Sequence, residues 1–195
     1  MKNYILICLF TIGSFTAFSQ SSLVKISPFH LFDGTFYTSI EKNLNNDRSF
    51  YLAGGYRLSD NGDDIGWMGE LQIRKYLFRF NKSESLGDSP FSGVYGGLYG
   101  NGKYFSESES EYSYYDYEID DFSYYQDDYE IKQVEGGVMM GIQFVFHKKL
   151  SLDFFVGGGL RASEITGMYR FTPYSLERGY TGIVPKLGFD VGISF

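Results

Sequence analysis

Residues 180–195, Tyr-Thr-Gly-Ile-Val-Pro-Lys-Leu-Gly-Phe-Asp-Val-Gly-Ile-Ser-Phe, decide the fold. Taken in steps of two, Ile183, Pro185, Leu187, Phe189, Val191, Ile193 and Phe195 are all apolar. The alternate set, Tyr180, Gly182, Val184, Lys186, Gly188, Asp190, Gly192 and Ser194, is mostly small, polar or charged. Such alternation marks a β-strand whose two faces meet different surroundings. The usual globular strand is about five or six residues long, and this one is far longer. A long closing strand of period two, ending on an aromatic residue, suits a transmembrane β-barrel, whose backbone groups must all be paired within the wall.

Working back from that strand, seven more stretches read as strands: 23–31, 34–43, 48–58, 67–79, 91–104, 130–146 and 150–165. Turn formers separate them at Asp33-Gly34, Asn43–Asp47, Ser59–Gly66, Asn81–Pro90, His147–Lys149 and Thr172–Gly179. The expectation is an all-β, eight-stranded, antiparallel up-and-down barrel. Most stretches declare their two faces: Trp67, Leu71, Ile73 and Leu77 alternate with Glu70, Gln72 and Arg74. The glycine-rich fifth stretch does not show a clear phase.

Period alone leaves open which face points inward, because a soluble carrier barrel has the same alternation with its apolar face inside. The polar face carries glycines instead of a surface-like crowd of lysine and glutamate. Its charges balance, with Lys25, Arg57, Arg74, Arg161 and Lys186 against Glu41, Glu70, Glu135, Asp153 and Asp190. Buried charges must be paired, so equal numbers fit a closed, filled lumen. The tight turn at 147–149 sharpens the reading. If Phe146 faces Leu150, then Glu135 faces Arg161 as a lumen ion pair, Gln143 faces Asp153, and Phe155 falls opposite Gly141. On this orientation an arginine at Leu187 should harm insertion more than a serine at Gly188.

The start of the chain, a positive Met1-Lys2-Asn3 followed by apolar residues to Phe18 and the small pair Ala17 and Ser19, reads as a cleaved signal peptide over 1–19. Its apolar run is shorter than the roughly 20 residues a membrane-spanning helix needs. Residues 20–195 then form one barrel domain. The only cysteine, Cys8, lies in that leader, so no disulfide or thiolate metal site is expected.

The net charge of −7 is concentrated in one place. Residues 105–129 hold nine acids, seven tyrosines and no lysine or arginine. No basic patch offers itself to nucleic acid. Pure disorder usually lacks aromatics, and Tyr115, Tyr117 and Ile119 alternate with Asp116, Glu118 and Asp120. The insertion therefore reads as a ribbon protruding outside the membrane. Tyr115, Tyr117, Ile119, Tyr124 and Tyr125 are its candidate contacts for an extracellular protein or glycan.

The stretches Ser39–Lys42 (SIEK), Gly69–Leu77 (GELQIRKYL), Phe91–Tyr99 (FSGVYGGLY) and Val156–Leu160 (VGGGL) resemble a family of small outer-membrane β-barrels of unknown function common in Bacteroidetes. The resemblance implies an integral outer-membrane protein of a Gram-negative bacterium, in contact with outer-membrane lipid, and no established activity. Lys186, Gly188, Val191, Ile193 and Phe195 look like the last-strand signal that barrel-assembly machinery reads.

Candidates for chemistry are few. His30 at the end of the first strand and His147 in a tight turn at the opposite membrane side cannot share a metal. His30 has Ser27 and Asp33 nearby in sequence but no recognisable nucleophile motif. Gly157-Gly158-Gly159 precedes no helix and suits close strand packing better than phosphate. Asp60, Asp63 and Asp64 lack the spacing of a calcium loop. The leading expectation is a non-enzymatic envelope component or surface binder, with no cofactor. A soluble barrel carrying an apolar ligand and an outer-membrane lipid-modifying enzyme are the alternatives.

Overall fold

The computed structural model describes residues 22–45, 47–58, 65–80, 89–116, 121–147, 149–167 and 179–195, with backbone alone for Leu58, 107–116 and 121–128. The leader over 1–19, the Asp60–Asp64 loop, Tyr117 and Ile119 lie outside the described residues.

Eight strands close a ring in chain order, each antiparallel to its neighbours: β1 (Ser22–Ile26), β2 (Thr35–Asn45), β3 (Arg48–Leu58), β4 (Ile65–Arg79), β5 (Gly93–Asp116), β6 (Asp121–Phe146), β7 (Leu150–Thr166) and β8 (Gly182–Ser194). The register inferred from the 147–149 turn holds throughout β6 and β7. Phe146 pairs with Leu150, Gln143 with Asp153, Gly141 with Phe155, and Glu135 with Arg161. His147 takes a positive φ of 49° to make that turn.

The polar face is the inner one. Leu98, Val138, Leu160 and Leu187 are 62–73% exposed on the outer surface. Lys25, Glu41, Arg74, Gln143, Asp153 and Asp190 are buried within. Glycines let large rings fill the narrow interior: the Phe155 ring lies where a Cβ on Gly188 would go, and Tyr95 lies over Gly141. A side chain at Gly188, as in Gly188→Ser, would require the Phe155 ring to move. Gly157 and Gly159 likewise sit within β7 against the backbone of β6, as packing glycines.

Two elements depart from the expected strands. The first ends at Ile26, and residues 28–32 form a short helix, α1 (Pro28–Phe32). Proline at a first helical position gives up an N–H that would be orphaned anyway, so Pro28 starts a helix instead of closing a strand. The helix ends where the amides of Asp33 and Gly34 donate to the carbonyls of His30 and Leu31, and Gly34 turns the chain at φ 67°.

The second departure is the insertion. β5 leaves β4 after Ser106, and β6 meets β7 only from Glu130 onward. Between those points, among the described residues, the two strands pair only with each other, from Glu107 opposite Tyr129 to Asp116 opposite Asp121. At about 3.3 Å per residue this ribbon extends roughly 30 Å beyond the wall.

Candidate functional site

The lumen is built in layers. At the end opposite the ribbon, Leu23, Phe91 and Val145 are fully buried and close the floor. Phe91 stands just ahead of β5, which begins at Gly93.

Above the floor lies a charge network drawn from four strands. Lys25 Nζ stands 2.6 Å from Glu41 and 2.7 Å from Asp153, while Arg74 Nη1 stands 3.1 Å from Glu41 and 2.6 Å from Asp153. All four side chains are completely buried. Glu41 also accepts hydrogen bonds from Ser49 and Tyr76, and Asp153 accepts one from Tyr95 at 2.8 Å. The guanidinium of Arg74 is flanked by the rings of Tyr51 at 4.4 Å and Tyr95 at 4.5 Å. Two cations and two carboxylates cancel, and Ser49, Gln72, Tyr76, Tyr95 and Gln143 supply further hydrogen bonds, which a buried ion cluster requires. Asp190, counted among the lumen charges from sequence, is held by the Tyr51 hydroxyl at 3.0 Å instead of a cation.

The upper lumen is a different space. A cavity of about 130 Å³ is lined by both polar and apolar groups, among them His30, Glu70, Lys103, Glu135, Arg161 and Lys186. The pair expected from register is here: Arg161 donates through Nε and Nη2, at 3.0 and 2.8 Å, to one oxygen of Glu135. Tyr99 donates to the other oxygen at 2.7 Å. Lys186 and Glu70 make a second pair at 2.9 Å. Sequence reading missed Lys103 because the many glycines of the fifth stretch hid its phase. Tyr95, Tyr99, Asn101 and Lys103 are in fact a period-two series on the inner face of β5.

The other candidate residues fall as follows. Lys186 and Gly188 face the lumen, while Val191 and Ile193 face outward on β8 beside β1. The backbones of Tyr115, Tyr124 and Tyr125 belong to the ribbon, opposite Phe122, Ser113 and Tyr112. His30 stacks on Tyr37 with ring centroids 4.2 Å apart, and its Nδ1 lies 2.9 Å from the Ser27 hydroxyl oxygen. Ser27 is buried, and its hydroxyl donates to the carbonyl of Phe189. Asp33 pairs loosely with Arg57 at 3.7 Å. Among the described residues no group of His, Cys, Asp or Glu could hold a metal ion.

Fold and lumen together define a closed, filled, eight-stranded β-barrel with an apolar exterior. The chain belongs to the family described as "Protein of unknown function (DUF3575)", whose model matches residues 4–177. None of the curated proteins matches it in sequence. Among solved structures, the N-terminal β-barrel domain of Pseudomonas aeruginosa OprF is similar, with 13% identity, a TM-score of 0.41, and 90% of this chain and 98% of that one covered.

Proposed function

We propose that the protein is an integral outer-membrane barrel without enzymatic activity, which serves the envelope as a surface-binding component through its ribbon. The observation that carries the reading is the inversion of polarity. Apolar side chains cover the outside, and charges fill the inside. In water such an exterior would be an aggregation hazard, whereas in lipid it is the expected outer band.

Aromatic side chains mark both edges of that band. Trp67 and Tyr104 stack near the ribbon end, and Phe80 stacks on Phe144 near the floor. Trp67 and Phe78, both exposed on β4, are separated by about 36 Å of strand at ~3.3 Å per residue. A tilt of about 40° reduces that to roughly 28 Å of height, close to the ~25 Å band of outer-membrane barrels. No helix among the described residues is long and apolar enough to cross a membrane, which leaves the strands to do it.

The carrier alternative suffers from the same inversion, since the described lumen offers charges where an apolar ligand would sit. A pore is disfavoured by the closed floor and the four-charge network. The ribbon points away from the floor, on the side where long connections face outside in such barrels. Its tyrosines combine broad contact area with few rotatable bonds, a composition favoured at binding surfaces. Removal of residues 107–128, joining Ser106 to Tyr129 through Gly-Asn, should leave insertion intact, because closure depends on pairing within the wall. The same deletion should abolish whole-cell capture of extracellular protein or glycan. Unchanged capture would remove the binding role from the ribbon.

A further inference from the structure

The barrel wall is incompletely paired at one seam. β1 is only five residues long, and it meets β8 from Leu23 opposite Ser194 to Ile26 opposite Val191. One further link crosses, from the Ser27 hydroxyl to the Phe189 carbonyl. Beyond it, among the described residues, no backbone hydrogen bond joins β8 to β1, α1 or β2.

The chemistry of β8 is adapted to this. Successive amides of a strand point to opposite sides. Phe195 N donates to Ser22 on β1, and Ser194 N donates to Lys149 on the β7 side. By alternation Ile193, Val191, Phe189, Leu187 and residue 185 direct their amides to the seam. Residue 185 is proline, which has no N–H to leave unpaired there and belongs on a strand edge. The helix α1 stands in the gap with His30 turned to the lumen and with Phe29, Leu31 and Phe32 exposed.

Two spaces meet at this seam. The polar cavity of the upper lumen is lined by Pro185 and Leu187 as well as Lys186, on the strand that borders the seam. On the outer surface an apolar groove of about 480 Å³ runs past Phe29, Met140, Phe154 and Val156. Leu187 and Phe155 line both spaces.

Inside the cavity the charges do not cancel. Lys103, Arg161 and Lys186 face Glu70 and Glu135. Both carboxylates are committed: Glu135 to Arg161 and Tyr99, and Glu70 to Lys186, Tyr37 and Gln72. The Lys103 ammonium has neither a salt bridge nor a hydrogen bond among the described residues, and the amide oxygen of Asn101 beside it is also without a partner. A surplus cation in a recessed, partly desolvated cavity is a site for an anion.

We infer that the seam is a lateral lipid site, which takes the phosphate head of an outer-leaflet amphiphile onto Lys103 while its acyl chain leaves past Leu187 into the groove along Phe154 and Val156. This inference rests on the membrane reading above. The protein gains from such a ligand a partner for its unpaired ammonium and a cover for the open edge of β8.

The test uses the full chain in phosphatidylcholine nanodiscs, with lysophosphatidate, lysophosphatidylcholine and inorganic phosphate as probes, and bound probe counted by native mass spectrometry. Lysophosphatidate should bind at least tenfold tighter than lysophosphatidylcholine. Lys103→Met should erase that preference and Lys103→Arg should keep it. Leu187→Trp, which narrows the seam, should weaken lysophosphatidate and leave inorganic phosphate unchanged. Equal binding of the two lipids, or indifference to Lys103→Met in a variant that inserts, overturns the site. Inorganic phosphate binding as tightly as lysophosphatidate, with no effect of Leu187→Trp, overturns the lateral route in favour of a free anion entering from the mouth. Failure of the unmodified chain to enter nanodiscs at all would refute the membrane reading itself.

Discussion

Replacing Arg74 with methionine is expected to cost the barrel about 3–5 kcal/mol, the usual penalty for stranding a buried charge by removing its partner. Arg74 touches both carboxylates of the lower network, and without it Glu41 and Asp153 share only Lys25. No water-exposed surface is within reach, since all these side chains are fully buried. The measurement is urea unfolding in liposomes, followed by the difference in gel migration between folded and boiled protein. Adding Glu41→Gln to Arg74→Met restores neutrality, with one cation facing one carboxylate, and should recover part of the loss. An unchanged unfolding midpoint for Arg74→Met would show that the network is hydrated and the lumen open.

The second large effect lies on the other face. Leu98 is 62% exposed on β5 between Ile73 and Val138, midway along the wall. If that surface meets hydrocarbon, Leu98→Arg places a charge near the bilayer midplane at a cost of roughly 2–4 kcal/mol. Leu98→Ala, which removes apolar area without adding charge, should be much milder. Refolding yields into liposomes compare the two. Equal yields would contradict the orientation, because a solvated outer face would accept arginine readily.

These sites differ in how far the sequence exposes them. The partnership of Glu135 with Arg161 was legible because their strands flank a three-residue turn, and a hairpin register propagates from its turn. The grouping of Lys25, Glu41, Arg74 and Asp153 was not. Each residue showed its polar face by period, but only ring closure brings β1, β2, β4 and β7 around one point. Lys103 was obscured for a local reason: Gly96, Gly97, Gly100 and Gly102 fall on both faces and blur the alternation that Tyr95, Tyr99 and Asn101 carry. The strand expected over 23–31 runs through Pro28, a residue that also suits the first turn of a helix. The seam follows from that substitution of helix for strand, and Pro185 was its only trace in the sequence.

Label depth tests directly whether the strands cross a membrane with the apolar face outward. Cys8 is the only cysteine, so with it absent or replaced a nitroxide can be placed at single new cysteines at Trp67, Leu98 and Phe78 without competing labels. These positions mark the upper edge, the middle and the lower edge of the outer surface. Relaxation of each label by oxygen and by a water-soluble nickel complex, measured in liposomes, reports its depth. The barrel described here requires Leu98 to be the most exposed to oxygen and the least to nickel, with Trp67 and Phe78 both shallower. Equal access of the nickel complex to all three positions would contradict it.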